Sequence, residues 1–202
     1  AFYEDPEGWR ALTETVEYAH GTGVPVLVDA KRGDIGNTAR QYASLLDRAD
    51  AITVNPYLGQ DALQPFLARE DKGVFVLCRT SNSGGADIQD REIDDGRTVY
   101  ELVADLAAGW NERGNVGLVV GATVPEELES LRERVPDIPF LVPGVGAQGG
   151  DVEAAVEYGL ADGVGLVNSS RGIIFAGEDS ERWAQAAGDA AKRLKRRLNQ
   201  FR

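Results

Sequence analysis

The sequence predicts an α/β fold built on a parallel sheet, and two observations support this. Six short apolar runs alternate with longer amphipathic stretches along the chain. Each apolar run is nearly continuous rather than alternating with polar residues, which is typical of strands covered on both faces. Strands and helices in strict alternation form parallel sheets with right-handed crossovers. The pattern alone fits a doubly wound sheet and part of an eightfold barrel equally well.

The individual elements follow from these runs and from helix-start signals. We expect strands over residues 24–30, 51–55, 73–78, 116–121, 139–143 and 163–168. Helices are expected over 6–21, 36–48, 60–69, 97–113, 125–134, 149–158 and 179–200. Two helix starts carry local signals: Pro125 precedes two glutamates, and Asp151 is placed in the first turn of its helix. The longest irregular stretch, 79–96, is rich in Ser, Gly and Asp, and a loop of this length in a compact domain is usually functional.

The composition limits the classes of protein that the chain can belong to. Its 202 residues suffice for one domain, and 33 acidic against 21 basic side chains give a net charge of −12. A surplus of acid argues against nucleic acid as a partner, because binding phosphates needs a surplus of Lys and Arg. Six basic residues lie within 192–202, where they complement the negative end of the last helix.

The same composition indicates a cytoplasmic protein without a membrane segment. No apolar run approaches the roughly 18 to 20 residues of a membrane span, and the first ten residues are polar and acidic. The single cysteine, Cys78, excludes an internal disulfide and fits a reducing compartment. With one histidine and one cysteine in the chain, we expect no zinc site.

The most informative segment follows the first predicted strand and contains Asp29, Lys31 and Asp34. Side chains at positions i and i+2 of a strand point to the same side, so Asp29 and Lys31 are expected side by side. Asp34 follows in the turn and could flank Lys31 from the other side. Charged residues rarely end an apolar strand unless they are paired. Two interpretations remain open: a structural ion pair that seals the sheet, and a protonated lysine held between carboxylates as an acid in a dry site.

A glycine-rich turn follows the fifth predicted strand. Gly144, Gly146 and Gly149 match GxGxxG, but the strand after this turn ends in Asn168 rather than in the acidic residue that a dinucleotide site requires. The dinucleotide interpretation therefore fails. Glycines before a helix still expose backbone N–H groups, which form a natural phosphate cradle.

Two further loops carry groups that could bind a ligand. Ser170 and Arg171 follow the last predicted strand, and a guanidinium can grip a phosphate with its planar fork. In an eightfold barrel the phosphate site lies in the loops after the seventh and eighth strands. Ser81 opens the long loop and could bond a planar heterocycle. Cys78 is expected to be a small buried residue rather than a nucleophile.

Several of these segments together resemble one family. They are DAKRGDIGNTA (29–39), TVNPYLGQDALQPFL (53–67), VFVLCRTSN (74–82), VVGATVPEEL (119–128), FLVPGVGAQGG (140–150) and NSSRGIIFA (168–176). The chain resembles the type 2 branch of the orotidine 5′-phosphate decarboxylases over essentially its whole length. The resemblance implies a (β/α)8 TIM barrel with six of the eight strands present, as a single domain over 1–202 that lacks the first two strands.

The resemblance also implies an activity and a role for each site residue. The expected reaction converts orotidine monophosphate to UMP and CO2 in pyrimidine biosynthesis, in a homodimer with no metal and no cofactor. Lys31 would be the proton donor, and Asp29 would face the carboxyl group of the substrate. Asp34 and Thr38 would reach into the partner's site. The remaining ligand contacts would be Ser81 to the pyrimidine and Gly146, Gln148, Ser170 and Arg171 to the phosphate.

Two alternatives stay open at this point. A magnesium-dependent lyase of the same superfamily, acting on a sugar phosphate, would use a similar Asp–Lys strand end. The second alternative is a non-catalytic barrel fragment that only binds a nucleotide or another chain. It stays open because the family carries two more strands and a further lysine before the position at which this sequence starts.

Overall fold

The computed structural model describes residues 5–145, 151–160 and 165–202. Six parallel strands lie in one sheet in the order of the sequence. They are β1 (Leu27–Arg32), β2 (Ala51–Val54), β3 (Gly73–Arg79), β4 (Val116–Val120), β5 (Phe140–Val142) and β6 (Gly165–Val167). A doubly wound sheet reverses its strand order at a switch point, whereas successive barrel strands are neighbours throughout. The sequential order therefore selects the barrel over the doubly wound sheet.

Helices separate the strands, as the amphipathic stretches predict. They are α1 (Pro6–Gly21), α2 (Gly36–Ala43), α3 (Gln60–Leu67), α4 (Val99–Trp110), α5 (Pro125–Arg134), α6 (Val152–Glu157), α7 (Ser170–Ile174) and α8 (Trp183–Leu198). Local chemistry sets several of their starts. Asp5 caps α1 by accepting the backbone N–H groups of Glu7 and Gly8 at 2.9 and 2.8 Å. Asp151 caps α6 in the same way, so it precedes the first turn in which the sequence placed it.

The described residues group into two compact units. The first comprises the chain up to Leu77 together with Leu106–Gly117. It contains α1, β1, α2, β2 and α3, and its interior includes fully buried apolar side chains: Leu46, Ile52, Val54, Leu63, Phe66 and Val74. Burial of this apolar set fixes β2, and β1, which pairs with β2, carries at its carboxyl end the charged segment that the sequence singled out.

Strand β1 is irregular where that segment begins. Val28 pairs with Ile52, but the next paired residues are Arg32 and Val54, so three residues of β1 lie opposite a single residue of β2. The backbone N–H of Asn55 donates to the Arg32 carbonyl at 2.7 Å and restores the pairing. Bulges of this kind redirect side chains and occur often beside active sites.

The second unit comprises Cys78–Asp105 and Leu118–Arg202. Leu118 pairs with Phe140, and Phe140 pairs with Gly165, so β4, β5 and β6 are in parallel register. Its buried apolar side chains include Leu118, Leu128, Leu131, Phe140 and Val142. The guanidinium of Arg132 lies 3.8 Å from the centre of the Phe140 ring, a cation–π contact at the edge of this core.

All six predicted strands are present, with ends that differ by up to three residues. The stretch 79–96 is less irregular than predicted, because it contains a 3₁₀ turn at Ser83–Asp87 and an antiparallel bridge between Glu92 and Thr98. Helix α7 was not predicted; five residues are too few to show helical periodicity. The extent of the domain, 1–202, stays a prediction.

Candidate active site

An Asp–Lys pair lies at the carboxyl end of β1. The Lys31 ammonium Nζ donates to Asp29 Oδ2 at 2.5 Å, and both side chains are about half exposed. The predicted juxtaposition is therefore confirmed, although the two residues sit in the bulge and not in a regular strand. A half-exposed pair at a strand end is open to a ligand, in contrast to one sealed inside the sheet.

The backbone of Lys31 has an unusual conformation. Its φ is +50°, and within 5–145, 151–160 and 165–202 it is the only residue other than glycine with positive φ. The left-handed region costs a residue with a Cβ about 1–2 kcal/mol, so the surrounding bonds must hold Lys31 in place. Strain of this kind clusters at functional sites.

Thr53 of β2 lies opposite the bulge and contacts both members of the pair. Its hydroxyl donates to Asp29 Oδ1 at 2.8 Å and accepts the backbone N–H of Lys31 at 2.8 Å. The residue is fully buried. Thr53 was not predicted from the sequence; the available signal was a single polar residue within the apolar run of β2.

Asp34 and Thr38 follow in the loop after β1 and in α2. Asp34 Oδ1 accepts the backbone N–H of Ile35 at 2.8 Å. Thr38 lies on the exposed side of α2, while the adjacent Ala39 is buried. The flanking of Lys31 by Asp34, and the reach of Asp34 and Thr38 into a partner's site, stay predictions.

Ser81 lies just beyond β3 and is closely packed. The backbone N–H of Gly121 donates to the Arg79 carbonyl at 2.8 Å. A Cβ at Gly121 would lie 2.9 Å from Ser81 N and 3.0 Å from its Cα, so glycine is required for this approach. The loop after β4 therefore fixes the backbone of Ser81 from one side.

Arg79 anchors the other side of this loop. Its Nε lies 2.8 Å from Glu127 Oε2, and its Nη2 donates to Glu127 Oε1 at 3.2 Å. Asp90 contacts the same guanidinium, and Gln89 Oε1 accepts both the Thr80 backbone N–H, at 2.9 Å, and an Arg79 N–H. Arg79 is 8% exposed, which the sequence did not indicate because it opens a polar loop.

The expected phosphate contacts are described only in part. Ser170 and Arg171 form the first turn of α7, and both are exposed. Gly146 and Gln148 lie outside the described residues, so their contacts stay predictions, as do those of Ser170 and Arg171.

Cys78 and Asp50 are among the titratable groups away from the Asp–Lys pair whose pKa values are shifted. Burial raises the pKa of the Cys78 thiol, whose Sγ donates to the Tyr100 carbonyl at 3.2 Å, in agreement with a buried residue that is not a nucleophile. The pKa of Asp50 is lowered, first by the backbone N–H of Val26 at 2.7 Å and then by His20 at 2.8 Å.

The described ranges carry neither a cluster of metal ligands nor a membrane-spanning helix. Among those residues, no group of three or more His, Cys, Asp and Glu side chains could hold a metal ion. None of the helices found there combines the length and the apolar character that crossing a bilayer requires.

A sequentially ordered α/β barrel with an exposed Asp–Lys pair at a strand end is the architecture of a barrel enzyme that acts on a small ligand. Comparison with known proteins specifies the family. The chain belongs to the orotidine 5′-phosphate decarboxylase / HUMPS family, whose model matches residues 1–186.

Curated relatives support the same assignment at high identity. Orotidine 5′-phosphate decarboxylase of Halorubrum lacusprofundi is 72% identical over 214 residues, which cover 100% of this chain and 78% of that protein. The protein of the same name from Haloarcula marismortui is 70% identical over 215 residues, with the same coverage.

Solved structures confirm the barrel fold. OMP decarboxylase of Leishmania donovani is 44% identical, with a TM-score of 0.80 over 97% of this chain and 77% of that one. UMP synthase of the same organism is 46% identical, with a TM-score of 0.82 over 97% of this chain and 44% of that one. The expected fold class, six strands of a (β/α)8 barrel, is thus confirmed.

Proposed function

We propose that the protein is an orotidine 5′-phosphate decarboxylase that converts orotidine monophosphate to UMP and CO2, with Lys31 as the proton donor. The observation that carries the proposal is the half-exposed Asp29–Lys31 pair at the end of β1, within the segment DAKRGDIGNTA. Relatives named for this activity are 70–72% identical over the entire chain. The product places the enzyme in UMP biosynthesis.

The chemical step needs one proton and no redox partner. The bond between carbon six of the pyrimidine and its carboxylate breaks, CO2 leaves, and the electron pair stays on carbon six. The ammonium of Lys31 stabilises this developing charge and then donates a proton to it, and solvent reprotonates the amine. Asp29 holds the ammonium at 2.5 Å, which fixes the position from which the proton is delivered.

Substrate binding is assigned to groups remote from the reacting carbon. Ser81 bonds the pyrimidine, and its closely packed backbone supports a fixed position. Arg171 and Ser170, with Gly146 and Gln148, bind the phosphate; the exposure of the first two leaves them accessible to a ligand. Binding energy from the phosphate then holds the carboxylate of the substrate beside Asp29.

A homodimer with shared sites is part of the proposal. Asp34 and Thr38 reach the partner's site from a segment that also exposes Ile35, and two further large apolar side chains, Tyr57 and Leu58, are exposed in the turn after β2. Exposed apolar groups around polar ones are typical of interfaces. A cytoplasmic location is proposed because the chain's single cysteine is a free, buried thiol.

The test is the ultraviolet change that accompanies conversion of orotidine monophosphate to UMP, measured with the protein in EDTA. The proposal predicts turnover that EDTA does not reduce. Turnover that appears only when magnesium is added, or action on a sugar phosphate instead, would favour the metal-dependent lyase. Binding of UMP without any conversion, by a protein that unfolds cooperatively, would leave only a nucleotide-binding barrel.

A further inference from the structure

We infer that Thr53 is a positioning residue for the reaction: it orients the Asp29 carboxylate and holds the backbone of Lys31 in its left-handed conformation. The inference rests on the proposed function, because the group being positioned is the proposed proton donor. It concerns a residue of β2 that lies outside the charged segment.

The strand register places Thr53 opposite the bulge of β1. Three residues of β1, from Asp29 to Lys31, lie between the paired positions Val28 and Arg32. Their counterpart on β2 is the single residue Thr53, between Ile52 and Val54. A bulge loses the regular ladder of backbone hydrogen bonds, so its polar groups need other partners.

The Thr53 hydroxyl makes two hydrogen bonds, one as acceptor and one as donor. A hydroxyl has one proton to donate and can accept through its lone pairs. Its acceptance of the Lys31 backbone N–H leaves the single proton for Asp29 Oδ1. The Lys31 ammonium then donates to Asp29 Oδ2. The Lys31 side chain thus contacts one oxygen of the Asp29 carboxylate directly. The Lys31 backbone is linked to the other oxygen through the Thr53 hydroxyl.

Thr53 is buried, whereas the Asp–Lys pair that it contacts is not. Thr53 is completely inaccessible to solvent, so water cannot replace its hydroxyl in either bond. Asp29 and Lys31, in contrast, are about half exposed. A buried, rigid hydroxyl in contact with a half-exposed pair acts to fix the geometry of that pair.

The experiment compares Thr53→Val with Thr53→Ser in the intact protein. Valine keeps the shape of threonine and removes both bonds, whereas serine keeps the hydroxyl. Thr15→Val is the matched control, because it makes the same substitution on the exposed face of α1. Among the described contacts, the Thr15 hydroxyl donates only to the Ala11 carbonyl.

For Thr53→Val we expect kcat to fall about 100-fold, the order associated with a misplacement near 1 Å, while the Kd for UMP stays within about threefold. Thr53→Ser and Thr15→Val should keep kcat within about threefold of the wild type. If Thr53→Val keeps its kcat, or if Thr53→Ser loses as much activity as Thr53→Val does, the positioning role is refuted.

A second measurement needs neither a variant nor turnover. In the wild type the Lys31 amide hydrogen is bonded to a buried hydroxyl, so it should exchange with D2O far more slowly than in an unstructured peptide. Exchange at the unstructured rate would refute the inference even if Thr53→Val fails to fold. Failure of the proposed function is a separate result: it would appear as a wild type that shows this protection but does not decarboxylate orotidine monophosphate.

Discussion

Replacement of Arg79 by methionine tests whether the loop that carries Ser81 is held by a buried ion cluster. The Arg79 side chain is 9% exposed, while its partners Glu127 and Asp90 are 20% and 36% exposed. Removing one member of a fully buried pair costs about 3–5 kcal/mol, and an exposed pair contributes about 0.2–1 kcal/mol. Partial solvation of the two acids places Arg79→Met between these limits, at about 2–3 kcal/mol.

The assay is thermal unfolding followed by circular dichroism. For a chain of this length 1 kcal/mol corresponds to about 2–4 °C, so Tm should fall by about 4–12 °C. Arg113→Met is the matched control: Arg113 pairs with Glu70 at 3.1 Å, but their side chains are 50% and 73% exposed. Its Tm should change by less than about 4 °C. Equal shifts for the two variants would refute the buried cluster as the anchor of this loop.

Three further predictions concern the base-binding loop, acid stability and the phosphate site. Gly121→Ala should raise KM for orotidine monophosphate and lower the free energy of unfolding by about 1–3 kcal/mol, because the new Cβ would press on Ser81. Gly109→Ala is the control, since open space surrounds Gly109, and it should change neither quantity. Equal effects of the two variants would contradict the account. The hydrogen bonds that lower the pKa of Asp50 stabilise the folded protein above the pKa that this carboxyl has in the unfolded chain, and this stabilisation is lost as the pH falls through its folded-state pKa. Asp50→Asn should therefore reduce the loss of unfolding free energy below about pH 4, measured by urea titrations. An unchanged dependence of the unfolding free energy on pH would argue against this role of Asp50. Arg171→Ala should weaken UMP binding by about 1.5–3 kcal/mol but not uridine binding, and calorimetry that shows equal losses would exclude a phosphate contact.

The strands were predictable from the sequence because each is a short apolar run buried on both faces. β4 illustrates this, since all five of its residues are buried. The end of β1 was predicted less accurately: the predicted strand stops at Ala30, whereas the observed one continues through the bulge to Arg32. Asp29 and Lys31 interrupt the apolar run there, and only the pairing of Arg32 with Val54 of β2 extends the strand beyond them.

The site was predictable where its residues are close in sequence. Asp29 and Lys31 are two positions apart, and their pairing followed from local geometry. Thr53 was missed because its contacts span 22 and 24 positions and depend on the strand register. Arg79 was placed in a solvated loop for the same reason: its main partner, Glu127, is 48 positions away.

The central claim, that Lys31 completes a decarboxylation, is tested most directly with orotidine monophosphate carrying ¹³C in its carboxylate. Nuclear magnetic resonance would follow labelled CO2 and the new hydrogen on carbon six of UMP. We predict that the wild type forms one UMP for each labelled CO2 that it releases. Lys192→Ala, which alters a lysine that is 72% exposed, should do the same. Lys31→Ala should release no labelled CO2 while still binding UMP. Turnover by Lys31→Ala at the wild-type rate, or a wild type that binds UMP and releases no labelled CO2, would contradict the account.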